Sequence, residues 1–308
     1  MEIGRFAPSP SGRMHLGNVF AALMSWLSVR AAGGELLLRI EDLDPERSRQ
    51  EYCEALMEDL EWLGLNWDRR APDQSQRRHA YDAALECLQK QNRIYPCYCT
   101  RNQLHAVNAP HAADGRVIYP GTCRNLTPGQ RLAKTRTPCL RLQVPFRQIS
   151  FFDGLQGEQT MDLGEDWGDC ILRRSDGVAA YQLAVVVDDG EQEVTQVVRG
   201  RDLLSSTHVQ LYLYELLNLK PPRYYHVPLL LAPDGRRLSK RDRDLDLGEM
   251  KKRYPPDAVV GYLGWKCGIL PKWEAAMPGD LLQFFSWDRI IPEDIVIDPR
   301  EFQYERIR

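Results

Sequence analysis

The first forty residues read as one βαβ unit, and this unit limits the possible folds more than any other feature of the chain. Residues 3–7 are a short apolar run with strand character. Residues 16–32 have the length and apolar content of a helix, which Gly33-Gly34 ends. Residues 35–40 are a second apolar strand. Two strands joined through a helix lie parallel, with a right-handed crossover. A parallel sheet needs helices over its faces, so an α/β architecture with a Rossmann-like parallel sheet is expected.

The rest of the chain extends this frame. Amphipathic helices are predicted near 47–64 and 74–91, with Leu56, Leu60 and Leu63 on one face of the first. From about Tyr95 to Gly177 helical periodicity fades and turns multiply, which predicts an inserted module. Residues 179–187 and 193–198 then read as strands and 203–217 as a helix. Residues 224–231 read as a strand that Pro228 makes irregular or places near an edge. Past Pro255 a short, mostly helical region is expected. The expected organisation is therefore 1–94 and 178–246 as two halves of one domain, 95–177 as the insert and 247–308 as a helical end.

Between the first strand and helix lies "RFAPSPSGRMHLGN", residues 5–18. In open α/β sheets ligands bind beyond the carboxyl ends of strands, and helix N-termini attract phosphate. Gly12 and Gly17 let backbone approach a ligand, and His15 can donate to a phosphate oxygen. A second segment, "PDGRRLSKRD" at 233–242, follows an apolar strand. Lys240 offers a compact charge suited to a triphosphate, and Ser239 a hydroxyl donor.

The formal charge of −3 over 308 residues gives no global attraction for nucleic acid. Locally the balance differs: residues 124–141 hold five basic side chains and no acid, and 236–253 hold eight against four. Such stretches suit phosphate contacts. The longest apolar runs are strand-sized, and the N-terminus resembles neither a signal nor a transit peptide. A cytoplasmic protein with no membrane contact is expected, and no obligate protein partner is evident.

His-x-Gly after the first strand and Leu-Ser-Lys after the last resemble the two signatures of class I aminoacyl-tRNA synthetases. "RIEDLDPERS", "YQLAVVVDD" and "VVRGRDLLSSTHVQ" add three more ordered segments. Together the five resemble the catalytic core of glutamyl-tRNA synthetases, from about Ile3 to Asp246. The resemblance implies activation of glutamate by ATP with Mg²⁺. It assigns His15, Gly17, Ser239 and Lys240 to ATP, with His15, Gly17 and Lys240 catalytic. It assigns Arg5, Ser9, Glu41, Tyr181 and Arg199 to glutamate, and Arg199 to its side-chain carboxylate. The reacting carboxylate is already ionised, so positioning and charge neutralisation suffice. One departure is Arg237, which stands where the lysine signature begins with Lys.

Only 68 residues follow Lys240. This is too few for the further anticodon-binding region of conventional members. The chain thus resembles the truncated branch that loads glutamate onto the queuosine base of tRNA(Asp), recognising its anticodon loop through the core. A short synthetase charging an acceptor end, or an inactive zinc-binding RNA-binding module, are the other readings.

Cys97, Cys99 and Cys123 form a tight group at the start of the expected insert. Thiolates suit Zn²⁺ in a four-coordinate structural site. The fourth ligand is not a cysteine. The same branch implies Tyr119, with His105 and His111 as rivals. The alternative is three buried free cysteines packed as small hydrophobes.

Overall fold

The computed structural model describes residues 1–100, 102–103, 117–238 and 245–301. The opening unit is β1 (Ile3–Phe6), α1 (Leu16–Ala31) and β2 (Glu35–Leu38), with the two strands parallel in register from Ile3↔Glu35 to Phe6↔Leu38. Leu16, Val19, Phe20, Leu23, Met24 and Leu27 of α1 are buried, which fixes the helix against the sheet. Then come α2 (Gln50–Trp62), β3 (Arg69–Arg70), α3 (Arg78–Lys90) and β4 (Ile94–Cys97).

The middle of the chain contributes to two sheets. α4 (Pro128–Leu132) leads into β5 (Cys139–Leu142), and β8 (Ile171–Arg173) closes a small antiparallel sheet ordered β4-β5-β8. Between them a hairpin, β6 (Gln148–Asp153) and β7 (Gly157–Asp162), joins the principal sheet. That sheet is completed by β9 (Gln196–Gly200) and β10 (Arg223–Val227). Its order among the described residues is β3-β2-β1-β9-β10-β6-β7, parallel except for β7. The chain moves outward from β1 in one direction, then returns to lay β9 on its other side. The β1/β9 boundary is therefore the switch point of the sheet.

Residues 179–187, expected as a strand, form a helix instead: α5 (Tyr181–Glu191). It packs with α3 and with α6 (Leu204–Leu216) in one apolar cluster. Leu183 through Asp189 are all buried, so the middle of the helix has no solvent face and its sequence no helical period. The strand expected at 224–231 breaks at Pro228. Its end, β11 (Leu230–Leu231), pairs with β12 (Ile295–Val296) outside the main sheet. After α7 (Leu247–Met250), the region past Pro255 is less helical than expected. It has α8 (Pro256–Lys266), α9 (Pro278–Leu281) and short turns of 3₁₀ type before β12. Among the described residues no helix is long and apolar enough to cross a membrane.

Candidate active site

A cavity of about 660 Å³ opens at the switch point, over the carboxyl ends of β1, β9 and β10. Arg5, Ser9, His15, Gly17, Glu41, Tyr181 and Arg199 all line it. Residues separated by almost two hundred positions are thus gathered by the return of β9 to β1. Gly12 sits at φ 144°, a conformation that only glycine adopts readily, so the turn requires it.

His15 is the N-cap of α1. Its Nδ1 accepts the Gly17 N–H at 3.1 Å, and its own N–H donates to Asn18 Oδ1 at 3.2 Å. An accepting Nδ1 leaves the neutral ring's proton on Nε2, which makes that nitrogen a donor. The spacing also has a steric cause. A Cβ at position 17 would lie 3.0 Å from His15 Cε1, so glycine is what lets the imidazole fold over the helix start.

Arg5 is buried on β1 and pairs through Nε with Asp189 of α5 at 3.3 Å. Asp189 also receives Arg39 Nη1 at 2.7 Å. Burial alone would raise the Asp189 carboxyl, but Arg39 and Arg5 outweigh it and hold the group below its ordinary range. Arg39 reaches Glu41 at 3.3 Å. Burial nevertheless dominates at Glu41 and pushes its carboxyl upward. Next to Asp189, Asp188 is bound by Arg77 at 2.6 Å, Gln74 at 2.7 Å and the Tyr81 hydroxyl. Two adjacent carboxylates on one buried helix thus anchor the arginines beneath the cavity.

Arg199, on β9, is more constrained than an isolated guanidinium. Nε donates to His226 Nε2 at 3.0 Å, and Nη2 to Thr207 Oγ1 and Gln210 Oε1, each at 2.8 Å. Nη1 donates to the Tyr181 hydroxyl at 3.3 Å. His226 Nδ1 in turn lies 2.6 Å from Asp153 Oδ2. Burial holds the His226 pKa down to about 4, so the ring is neutral, with its proton on Nδ1 facing Asp153. Among the described residues one Nη1 hydrogen remains for a ligand, beside a Tyr181 phenol that burial keeps protonated. A carboxylate seated there meets one guanidinium N–H and one phenol O–H. The two-pronged arginine edge that the residue type suggests is already engaged. Asp153, His226, Thr207 and Gln210 were not among the expected site residues.

Ser239 and Lys240 lie outside the described residues, but both flanks of their segment are held. Arg237 pairs with Asp202 at 2.5 Å, and the Leu238 N–H bonds to Leu230 O. On the far side Asp246 bridges His15, the Leu247 N–H donates to Met14 O at 3.0 Å, and Lys251 pairs with Asp59 at 2.7 Å. Asp246 and Leu247 are therefore tied to the turn that carries His15.

The cysteine group lies elsewhere, at the small sheet. The sulfurs of Cys97, Cys99 and Cys123 fall within 4.8 Å of one another, with Cys99 and Cys123 at 3.6 Å. Sulfurs about 2.3 Å from a tetrahedral zinc stand roughly 3.8 Å apart, so the donor set fits that ion. The Tyr119 hydroxyl lies 3.3 Å from Cys97 Sγ and 3.6 Å from Cys99 Sγ. His105 and His111 lie outside the described residues.

The family model for tRNA synthetases class I (E and Q), catalytic domain, matches residues 3–272. A glutamyl-Q tRNA(Asp) synthetase of Nitratidesulfovibrio vulgaris is 48% identical, over 92% of this chain and 91% of that one. One of Symbiobacterium thermophilum is 45% identical over 96% of each. A glutamate tRNA ligase from Elizabethkingia meningosepticum, solved in complex with its amino acid, has a TM-score of 0.83 at 27% identity, over 97% of this chain and 68% of that one. With such similarity along nearly its whole length, the chain belongs to the glutamyl-Q tRNA(Asp) synthetase family, within the class I tRNA synthetases.

Proposed function

We propose that the protein activates glutamate with ATP and transfers it to the queuosine base at the wobble position of tRNA(Asp) in the cytoplasm. One observation carries the reading. Two buried arginines, a carboxylate and a histidine-capped helix start converge in one cavity, in a chain 48% identical to a glutamyl-Q tRNA(Asp) synthetase.

In the first step a glutamate α-carboxylate oxygen bonds to the α-phosphorus of ATP, and pyrophosphate leaves. Arg5 and Arg199 hold the two carboxylates, Tyr181 and Ser9 donate to the ligand, and Glu41 takes the ammonium. His15 donates from Nε2 to a phosphate oxygen, and Gly17 gives it room. Ser239 and Lys240 complete the phosphate contacts. Mg²⁺ arrives with ATP and offsets phosphate charge. In the second step a hydroxyl of the queuosine ring attacks the activated carbonyl, and AMP leaves. Exposed basic side chains of the stretches 124–141 and 236–253, Lys134 and Arg136 among them, contact the anticodon-loop backbone. Away from the cavity, Cys97, Cys99, Cys123 and Tyr119 hold a structural Zn²⁺ that fastens the small sheet.

Glutamate-dependent ATP–pyrophosphate exchange tests the first step. Exchange is expected with no RNA present, and Arg199→Ala should raise the KM for glutamate while leaving ATP binding intact. Loss of a desolvated charged contact costs on the order of 2–5 kcal/mol. Exchange that appears only with tRNA, or an unchanged KM, contradicts this reading.

A further inference from the structure

The centre strand of the small sheet buries a cation that has no carboxylate of its own. Arg141 is 6% exposed. Its side chain makes one hydrogen bond to backbone, Nη1 to Asp169 O at 2.7 Å, and among the described residues it forms no ion pair. Its Nε is buried without a hydrogen-bond partner among those residues. The neighbouring Asp169 carboxylate is taken by Arg124 at 2.5 Å, the Tyr95 hydroxyl and the Val144 N–H. The guanidinium carbon instead lies over the Tyr119 ring, 3.8 Å from its centroid, and faces Cys97 and Cys139.

A buried guanidinium stays charged, so its counter-charge must come from what it faces. Zn²⁺ with three thiolates carries a net charge of −1. One adjacent guanidinium offsets this charge. We propose that Arg141 is the counter-ion and positioning residue of the metal centre, balancing its charge and clamping the Tyr119 ring by cation–π stacking. This rests on the zinc reading above and adds a residue that is not a ligand.

The test uses the full chain, purified without added metal. Zinc content is measured, and zinc affinity is read by chelator competition. Cobalt substitution adds a thiolate-to-metal absorption signature. The wild type should hold one equivalent. Arg141→Met should weaken affinity on the order of tenfold or more, as loss of an outer partner does. Arg141→Lys, which keeps the charge, should recover much of that loss and remains the deciding variant should Arg141→Met not fold. Arg124→Met removes a cation from the same module that pairs with Asp169 instead, and should leave affinity unchanged. Wild-type protein without zinc overturns the metal reading and this inference with it. Zinc held equally by wild type and both Arg141 variants overturns the inference alone, as does equal weakening by Arg124→Met.

Discussion

Arg199 and His15 could be picked out of the sequence as candidate site residues because each sits in a short segment whose residue types suit a ligand, and the fold brings both to one cavity. What holds Arg199 was not legible. Asp153 lies 46 positions before it on another strand, and His226 27 positions after it. A neutral histidine that accepts from one neighbour and donates to another leaves no local pattern, since both partners arrive through sheet pairing. Glu41 shows the same limit. Its residue type suggested an ammonium partner, but only the fold shows that burial pushes its carboxyl upward. A raised pKa means that Glu41 takes up its proton earlier as pH falls. The KM for glutamate should therefore start to rise above the ordinary glutamate range of about 4.3. Glu41→Gln should give a high KM that is flat across the same interval. A wild-type KM that stays level until that ordinary range would remove Glu41 from ammonium binding.

Among the elements, the opening βαβ unit was readable to within two residues, because strand, turn, helix and stop signals agree. α5 was not. "YQLAVVVDD" is rich in β-branched residues and apolar on every side, and a short continuous apolar run does not distinguish a buried strand from a buried helix. Its two aspartates were the missed clue. On a strand Asp188 and Asp189 would point to opposite faces, whereas on α5 both reach the arginines beneath the cavity. Asp189→Asn keeps the shape and removes the charge, leaving Arg5 and Arg39 short of a buried counter-ion. Breaking such a pair costs about 3–5 kcal/mol. Urea unfolding should show a loss of that order. A loss below about 1 kcal/mol would mean that Asp188 and Glu41 suffice, and would deny Asp189 its anchoring role.

For the whole molecule, the parallel sheet was legible in the opening βαβ unit, and the candidate site in the turn that follows its first strand. A strand laid on the far side of β1 creates a crevice wherever the intervening chain goes. The division of the middle segment was not readable, because β6 and β7 look like any exposed hairpin until β10 pairs with β6. The cavity at that crevice and the three sulfurs at the small sheet share no lining residue. Chemistry on glutamate and metal binding should thus be separable by mutation. The acceptor separates this reaction from ordinary aminoacylation, and a charging assay identifies it. Radiolabelled glutamate is offered with ATP and three tRNA(Asp) samples: one bearing queuosine, one with unmodified guanosine, and one with queuosine but lacking its terminal adenosine. Label should enter the first and third samples alike and not the second, as the proposed transfer to the base rather than to the terminal ribose requires. Equal charging of the unmodified tRNA, or failure of the sample without its terminal adenosine, would assign the reaction to the acceptor end instead.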